Sequence, residues 1–286
     1  MNPPEPFYVC GPTASGKSSL ALQLAREKDG EIVNADAFQL YRGIDTISAA
    51  PREFEKSTAA HHLYGVLEPS ETCDAQRFVD LARPVIDEII ARGKTPIVTG
   101  GSGLYLKFLT HGPSPVPPSE GNLRRELEVL THEEIIQRLQ ALDPEEAAQI
   151  NLTNRRYVSR SLEICLLSGC KASTLRKNWQ HVSDARTASL QGLVIQRPRA
   201  ILHQRIAERC TAMLEGNAIE EVRALRSQLS ITCAKAIGVP QILAFLDGQL
   251  SHAECLQKIV EATRQYAKRQ ETWFRRESWL TPCPMT

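Results

Sequence analysis

The sequence predicts an α/β protein, a parallel sheet flanked by helices and interrupted by a mostly helical insertion. Three observations carry this reading. A phosphate-loop pattern follows a short apolar run near the N-terminus, in "FYVCGPTASGKSS". Two more apolar runs, "EIVNAD" and "TPIVTGG", alternate with helical periodicity over the first 112 residues. From "HGPSPVPPSEGN" the texture becomes helical alone, until a β-like run returns at "LQGLVIQRP".

Residues 7–10 read as the first strand and 19–26 as the helix after it. Between them the pattern G-x-x-x-x-G-K-[ST] is complete in Gly11, Pro12, Thr13, Ala14, Ser15, Gly16, Lys17 and Ser18. Glycines let backbone amides turn inward around an anion, and the helix N-terminus adds partial positive charge. Lys17 supplies a point charge, and the Ser18 hydroxyl suits magnesium (Mg2+). A nucleotide would be served equally well. The second strand leads to Asp36, a helix spans about 74–91, and a third strand leads into "GGSG" with Ser102. In a parallel sheet the functional groups collect at the carboxyl ends of the strands, so the loop, "NADAFQ" and "GGSG" are expected to meet. On residues alone, Asp36 reads as a magnesium ligand or as a helix N-cap.

The core is assigned to residues 1–112 and 186–286, and the insertion to 113–185. Helical periodicity fills 122–180, with Gly169 as a helix stop, and a long helix from 201 to about 213 belongs to the resumed core. The hydrophobic content of 42% and charged content of 23% are ordinary for a globular chain of 286 residues. A net charge of +1, from 34 basic and 33 acidic residues, excludes a globally basic body, so nucleic-acid affinity must come from local patches. No apolar run reaches the ~18 residues of a membrane span, and no leader pattern is present, so a cytoplasmic protein without a membrane partner is expected. Eight cysteines with no C-x-x-C pair read as reduced, mostly core thiols.

The segment "RQYAKRQETWFRR" interleaves Arg264, Lys268, Arg269, Arg275 and Arg276 with Tyr266, Trp273 and Phe274. Charge with aromatic planes suits RNA, while helical spacing sends some of these aromatics to the core. The motifs "NADAFQLYRGIDTISAAP", "HHLYGVLEPSE", "VTGGSGLYL", "DPEEAAQI", "RSLE", "KAIGVPQI" and "TRQYAKRQETWFRR" occur in that order. As a set, with the loop, the chain resembles the tRNA dimethylallyltransferases, which prenylate an adenosine beside the tRNA anticodon. The likeness extends to "WFRRESWL".

The resemblance implies a P-loop NTPase-like core, an insertion that grips the anticodon stem-loop, and dimethylallyl diphosphate in the loop instead of ATP. It implies magnesium as cofactor, tRNAs reading codons that begin with U as substrates, and a monomer. By it Asp36 is the general base toward the adenine amine, Ser102 stands where threonine is usual, and Lys17 stabilises the leaving diphosphate with Arg209. Implied tRNA contacts are Asp36, Ala37, Phe38, Gln39, Ser102, Lys235, Gln241, Lys268 and Arg269. In the insertion, Arg124, Arg125, Arg155, Arg156 and Arg160 are the expected phosphate contacts.

Several positions depart from the family pattern. Ala37 lacks a hydroxyl beside Asp36, Ala50 replaces a lysine, Thr153 and Asn154 stand for Asn and Asp, and Tyr157 replaces an arginine. Other readings stay open at this point: a small-molecule kinase using ATP, a prenyltransferase acting on free AMP, and an RNA-binding protein that has lost activity.

Overall fold

The structure, a computed structural model, describes residues 3–286. Its strands are β1 (Phe7–Cys10), β2 (Gly30–Asn34), β3 (His61–His62), β4 (Thr95–Gly100), β5 (Gln191–Gln196) and β6 (Thr281–Pro284). They form one sheet in the order β3-β2-β4-β1-β5-β6, and every neighbouring pair is parallel. The expected parallel sheet is therefore present, with two strands that pattern reading missed. A two-residue strand such as β3 has no periodicity to read. In β6, "TPCP", the prolines cannot donate to a ladder, which a strand at the sheet edge tolerates.

The helices are α1 (Lys17–Glu27), α2 (Asp45–Ser48), α3 (Glu53–Lys56), α4 (Ala75–Ala91), α5 (Gly103–His111), α6 (Gly121–Val129) and α7 (His132–Leu142). After these come α8 (Pro144–Gln149), α9 (Arg155–Ser168), α10 (Ala172–Thr187), α11 (Arg199–Glu215), α12 (Ala218–Leu225), α13 (Val239–Leu246) and α14 (His252–Phe274). The chain divides into two compact units. One runs to Leu109 and resumes over Ser189–Thr286, and the other is Thr110–Ala188, against an expected insertion of 113–185.

Strand periodicity explains the first unit's two cores. Side chains alternate across a strand. Val9, Ile32, Ile97 and Ile195 pack with Ala21 and Ala25 of α1. Their neighbours Tyr8, Cys10, Val33 and Val98 join the other cluster, with Phe78, Val79 and Ala82 of α4 and Leu202 and Ile206 of α11. Because both faces are covered, the strands read as continuous apolar runs. All cysteines except Cys170 and Cys283 are buried.

The second unit has its own core of Leu127, Ile135, Leu139, Val158, Leu162 and Ile164. Its helix ends are set by local chemistry. Thr131 and Glu134 form a capping box on α7. Asn154, where the family pattern has Asp, accepts the N–H of Arg156 and caps α9, and Gly169 ends that helix in the left-handed region. The altered residue thus keeps an N-cap, which is why the helix starts where it does.

Candidate active site

The carboxyl ends of β1, β2 and β4 lie side by side, and each feeds a functional segment. The loop from Gly11 to Gly16 joins β1 to α1, whose first residues are Lys17 and Ser18. Ala14 takes a left-handed conformation, φ 62°, at a cost of about 1 kcal/mol. Such a residue helps successive N–H groups converge on one side as an anion nest. The loop's carbonyls are held by arginines: Arg205 Nε donates to Ala14 O at 2.9 Å and Arg197 Nε to Ser15 O at 2.7 Å.

Thr13 is tied twice. Its N–H donates to Oε1 of Gln270 on α14 at 2.7 Å, and its hydroxyl accepts from the Arg209 guanidinium on α11 at 2.6 Å. Gln270 also donates from Nε2 to Gly101 O at 2.8 Å. A Cβ at Gly101 would lie 2.1 Å from that nitrogen, so glycine there lets the amide reach both loops.

Lys17, Asp36, Tyr64, Ser18 and Arg209 line a cavity of about 230 Å³. Lys17 Nζ donates to Pro12 O at 2.9 Å. Its pKa falls from 10.5 to about 8, chiefly because burial disfavours the ammonium; Asp36 opposes the shift and Arg209 adds to it. Burial also lowers the Arg209 pKa, and its Nε is buried without a partner. Two cations short of counter-charge in one cavity suit a multiply charged anion.

Asp36 is fixed by its neighbours. Asn34 Oδ1 accepts the Asp36 N–H at 2.8 Å, and Asn34 Nδ2 donates to Asp36 O at 3.0 Å and Leu63 O at 2.9 Å. Asp36 Oδ1 accepts the Phe38 N–H at 3.1 Å. Ser102 Oγ accepts the N–H of Ala37 at 2.9 Å. This bond uses the backbone, so the missing hydroxyl at Ala37 does not break it, and the Ser102 proton remains available to a substrate. Burial, with the nearby Asp36 charge, keeps Tyr266 a phenol, against the opposing influence of Ser102 and Gln270. A smaller space of about 50 Å³, walled by Phe38, Met213, Ile259 and Tyr266, shares Thr13, Asp36 and Arg209 with the first cavity.

Among the described residues, no three His, Cys, Asp or Glu side chains converge to hold a metal. The exposed Ser18 hydroxyl and Asp36 border the cavity with hard oxygens. That set fits magnesium, which keeps several waters and takes substrate phosphate oxygens as ligands.

The other expected contacts fall into two groups. Lys235, Lys268 and Arg269 are exposed, with Arg269 lying 5.7 Å over the Tyr266 ring. Arg275 and Arg276 are also exposed, whereas Phe274 is core and Trp273 half-buried. Gln39 and Gln241 are engaged within the protein. Gln39 Nε2 donates to Ser48 O at 3.0 Å and Ala49 O at 2.9 Å, and Gln241 Oε1 accepts the Gly238 N–H at 3.0 Å. In the second unit Arg124 and Arg156 are exposed and, with Arg160, line a cavity of about 400 Å³. Arg160 pairs with Glu163 at 2.7 Å and donates to Pro117 O. Arg155 serves as a helix cap: its guanidinium holds Leu127 O at 3.1 Å, Glu128 O at 3.2 Å and Leu130 O at 2.5 Å. Arg125 holds Asn122 Oδ1 at 2.6 Å.

Sequence reasoning missed Gln270, Arg205, Arg197 and Tyr64. Arg205 stands one turn before Arg209 on α11, a spacing that placed both on one face. Gln270 lay inside a quoted motif but carries no charge to draw attention.

The profile of the family described as IPP transferase matches residues 39–277. The chain belongs to that family. Similarity also takes in the phosphate loop that the profile leaves out. The chain is 41% identical over 278 residues to the tRNA dimethylallyltransferase of Akkermansia muciniphila, covering 97% of this chain and 92% of that one. It is 40% identical to the Geobacter metallireducens enzyme of the same name, with 94% and 89% covered. Among solved structures, the full-length tRNA isopentenylpyrophosphate transferase of Bacillus halodurans has a TM-score of 0.71 at 31% identity, covering 100% of this chain and 91% of that one. A eukaryotic dimethylallyltransferase acting on tRNA has a TM-score of 0.77 at 26% identity, covering 98% and 74%. The IPP transferase fold here is the expected P-loop NTPase-like one.

Two outcomes follow from this geometry. The free site releases the Lys17 proton near pH 8 and the unfolded chain only near 10.5, so ligand-free stability rises with pH across that window. Anion binding needs the proton, so affinity for inorganic diphosphate between pH 7 and 9 is expected to fall more in the wild type than in Lys17→Met, read by calorimetry. Removing the Gln270 amide leaves the Thr13 N–H and Gly101 O without that partner. Gln270→Ala is expected to cost about 1–3 kcal/mol of stability and to weaken diphosphate binding at least roughly tenfold, measured by denaturant titration and calorimetry.

Proposed function

We propose that this IPP transferase moves the dimethylallyl group of dimethylallyl diphosphate onto the exocyclic amine of the adenosine 3′ to the anticodon, in tRNAs reading codons that begin with U. The observation that carries this reading is that Asp36 and the anion-binding loop line one cavity, with an apolar space adjoining both. The allylic carbon–oxygen bond breaks and its electron pair leaves with the diphosphate. Lys17, Arg209 and the amides of Ala14 and Gly16 to Ser18 receive that charge without reorganising, which lowers the barrier; the Thr13 N–H is held by Gln270. The amine lone pair forms the new carbon–nitrogen bond, and its proton passes to Asp36. The Ser102 hydroxyl orients the amine or the leaving oxygen. Magnesium, held by Ser18 together with diphosphate oxygens and water, would neutralise charge on the leaving group.

The target base must leave its stack to reach Asp36. The exposed Lys235, Lys268 and Arg269 offer cations to the anticodon loop, and Arg124, Arg156 and Arg160 suit the phosphates of the stem. The protein acts as a monomer in the cytoplasm. No helix among the described residues is long and apolar enough to cross a membrane.

The test uses tRNA from a strain lacking the modification, with magnesium and dimethylallyl diphosphate, followed by digestion and mass spectrometry. Prenylated adenosine is expected; tRNA binding without product would leave only a binding protein. Asp36→Ala is expected to lower kcat by about 10²-fold or more while tRNA affinity stays within roughly threefold. A large loss of binding would instead make Asp36 a residue that holds the base.

A further inference from the structure

We propose that Ile47 and Met213 act as a ruler that limits the prenyl donor to a single isoprene unit. This rests on the prenyl-transfer reading above. The reacting carbon must lie between the diphosphate at Lys17 and Arg209 and the amine at Asp36, so the hydrocarbon tail has to continue past both. The space lined by Thr13, Asp36 and Arg209 is also lined by the apolar Ile47, Met213, Ile237 and Ile259. These walls are apolar, and Ile47, Met213 and Ile259 are 5%, 9% and 3% exposed. Desolvating a short branched hydrocarbon against them is favourable.

The room is small, about 50 Å³ against about 230 Å³ for the anion cavity. The walls do not readily retreat. Glu221 grips the start of α2, its Oε1 accepting the Thr46 N–H at 2.8 Å and its Oε2 the Ile47 N–H at 3.1 Å. Behind Ile47 stands Gly238, at φ 105°, where a Cβ would come within 2.4 Å of Ile47 Cδ1. The isoleucine is therefore already pressed against backbone, and a close-packed interior resists further displacement. Met213 on α11 projects from the helix that also carries Arg209, so the distance from anion to wall is set within one rigid element.

A longer donor would undergo the same bond changes: the allylic carbon–oxygen bond breaks, diphosphate leaves with the pair, and the adenine amine bonds the carbon and loses a proton. Only its second isoprene unit would have to find room against Ile47 and Met213. The experiment compares dimethylallyl and geranyl diphosphate on unmodified tRNA for the wild type, Met213→Ala, Ile47→Ala and Met213→Phe. The readout is the ratio of kcat/KM for geranyl over dimethylallyl diphosphate within each protein, so any inactive fraction cancels. Both alanine variants are expected to raise that ratio at least tenfold over the wild type, with geranylated adenosine seen by mass spectrometry. Met213→Phe is expected to lower kcat/KM for dimethylallyl diphosphate at least tenfold by filling the space. An unchanged ratio in alanine variants that still transfer the dimethylallyl group would overturn the proposal. So would a rise confined to KM for tRNA, which would mean that this space receives the base. A wild type inactive with dimethylallyl diphosphate would overturn the reading on which the proposal stands.

Discussion

Gln270 joins segments that the sequence keeps far apart. Its amide accepts the Thr13 N–H and donates to Gly101 O, so the phosphate loop and the segment carrying Ser102 are spaced by one side chain from α14. Gln270 is 4% exposed, and a buried amide with both ends satisfied fixes distance and orientation at once. Thr13, held on its other side by Arg209, passes that constraint to the anion site. The Ser102 hydroxyl passes it to the β2 end by accepting the Ala37 N–H, next to Asp36. Asp36 and the anion-binding loop are thereby positioned before a ligand arrives.

The electrostatics are arranged around an anion. Lys17 and Arg209 are both desolvated, and both are pushed toward losing charge by burial. In a folded chain this is unfavourable on its own account, and a functional site is where such a cost is retained. In the proposed reading, a departing diphosphate is told from a phosphoryl group in transit by what lies beyond it. Asp36 and a small apolar space adjoin the loop, which suits carbon as the reacting atom.

Much of this was legible in the sequence, and the limits are physical. The loop, α1, β2, β4 and the insertion helices announced themselves through periodicity and capping residues. The rule that strand carboxyl ends gather function pointed to the segments of Asp36 and Ser102, and the family resemblance supplied their roles. What stayed hidden depends on tertiary partners: Gln270 is one glutamine among several until Thr13 and Gly101 meet it, and Arg155 reads as a surface cation until its guanidinium closes the end of α6. Likewise Gln39, expected to contact tRNA, spends both amide hydrogens on the Ser48 and Ala49 carbonyls. β3 and β6 were missed because one is too short for a pattern and the other carries proline.

The central claim is that the loop holds a diphosphate that departs whole from carbon. Phosphorus NMR of a reaction with unmodified tRNA, dimethylallyl diphosphate and magnesium tests it most directly. The account predicts one inorganic diphosphate released for each prenylated adenosine formed, with no requirement for ATP. Phosphate release that depends on ATP, with dimethylallyl diphosphate untouched, would contradict it.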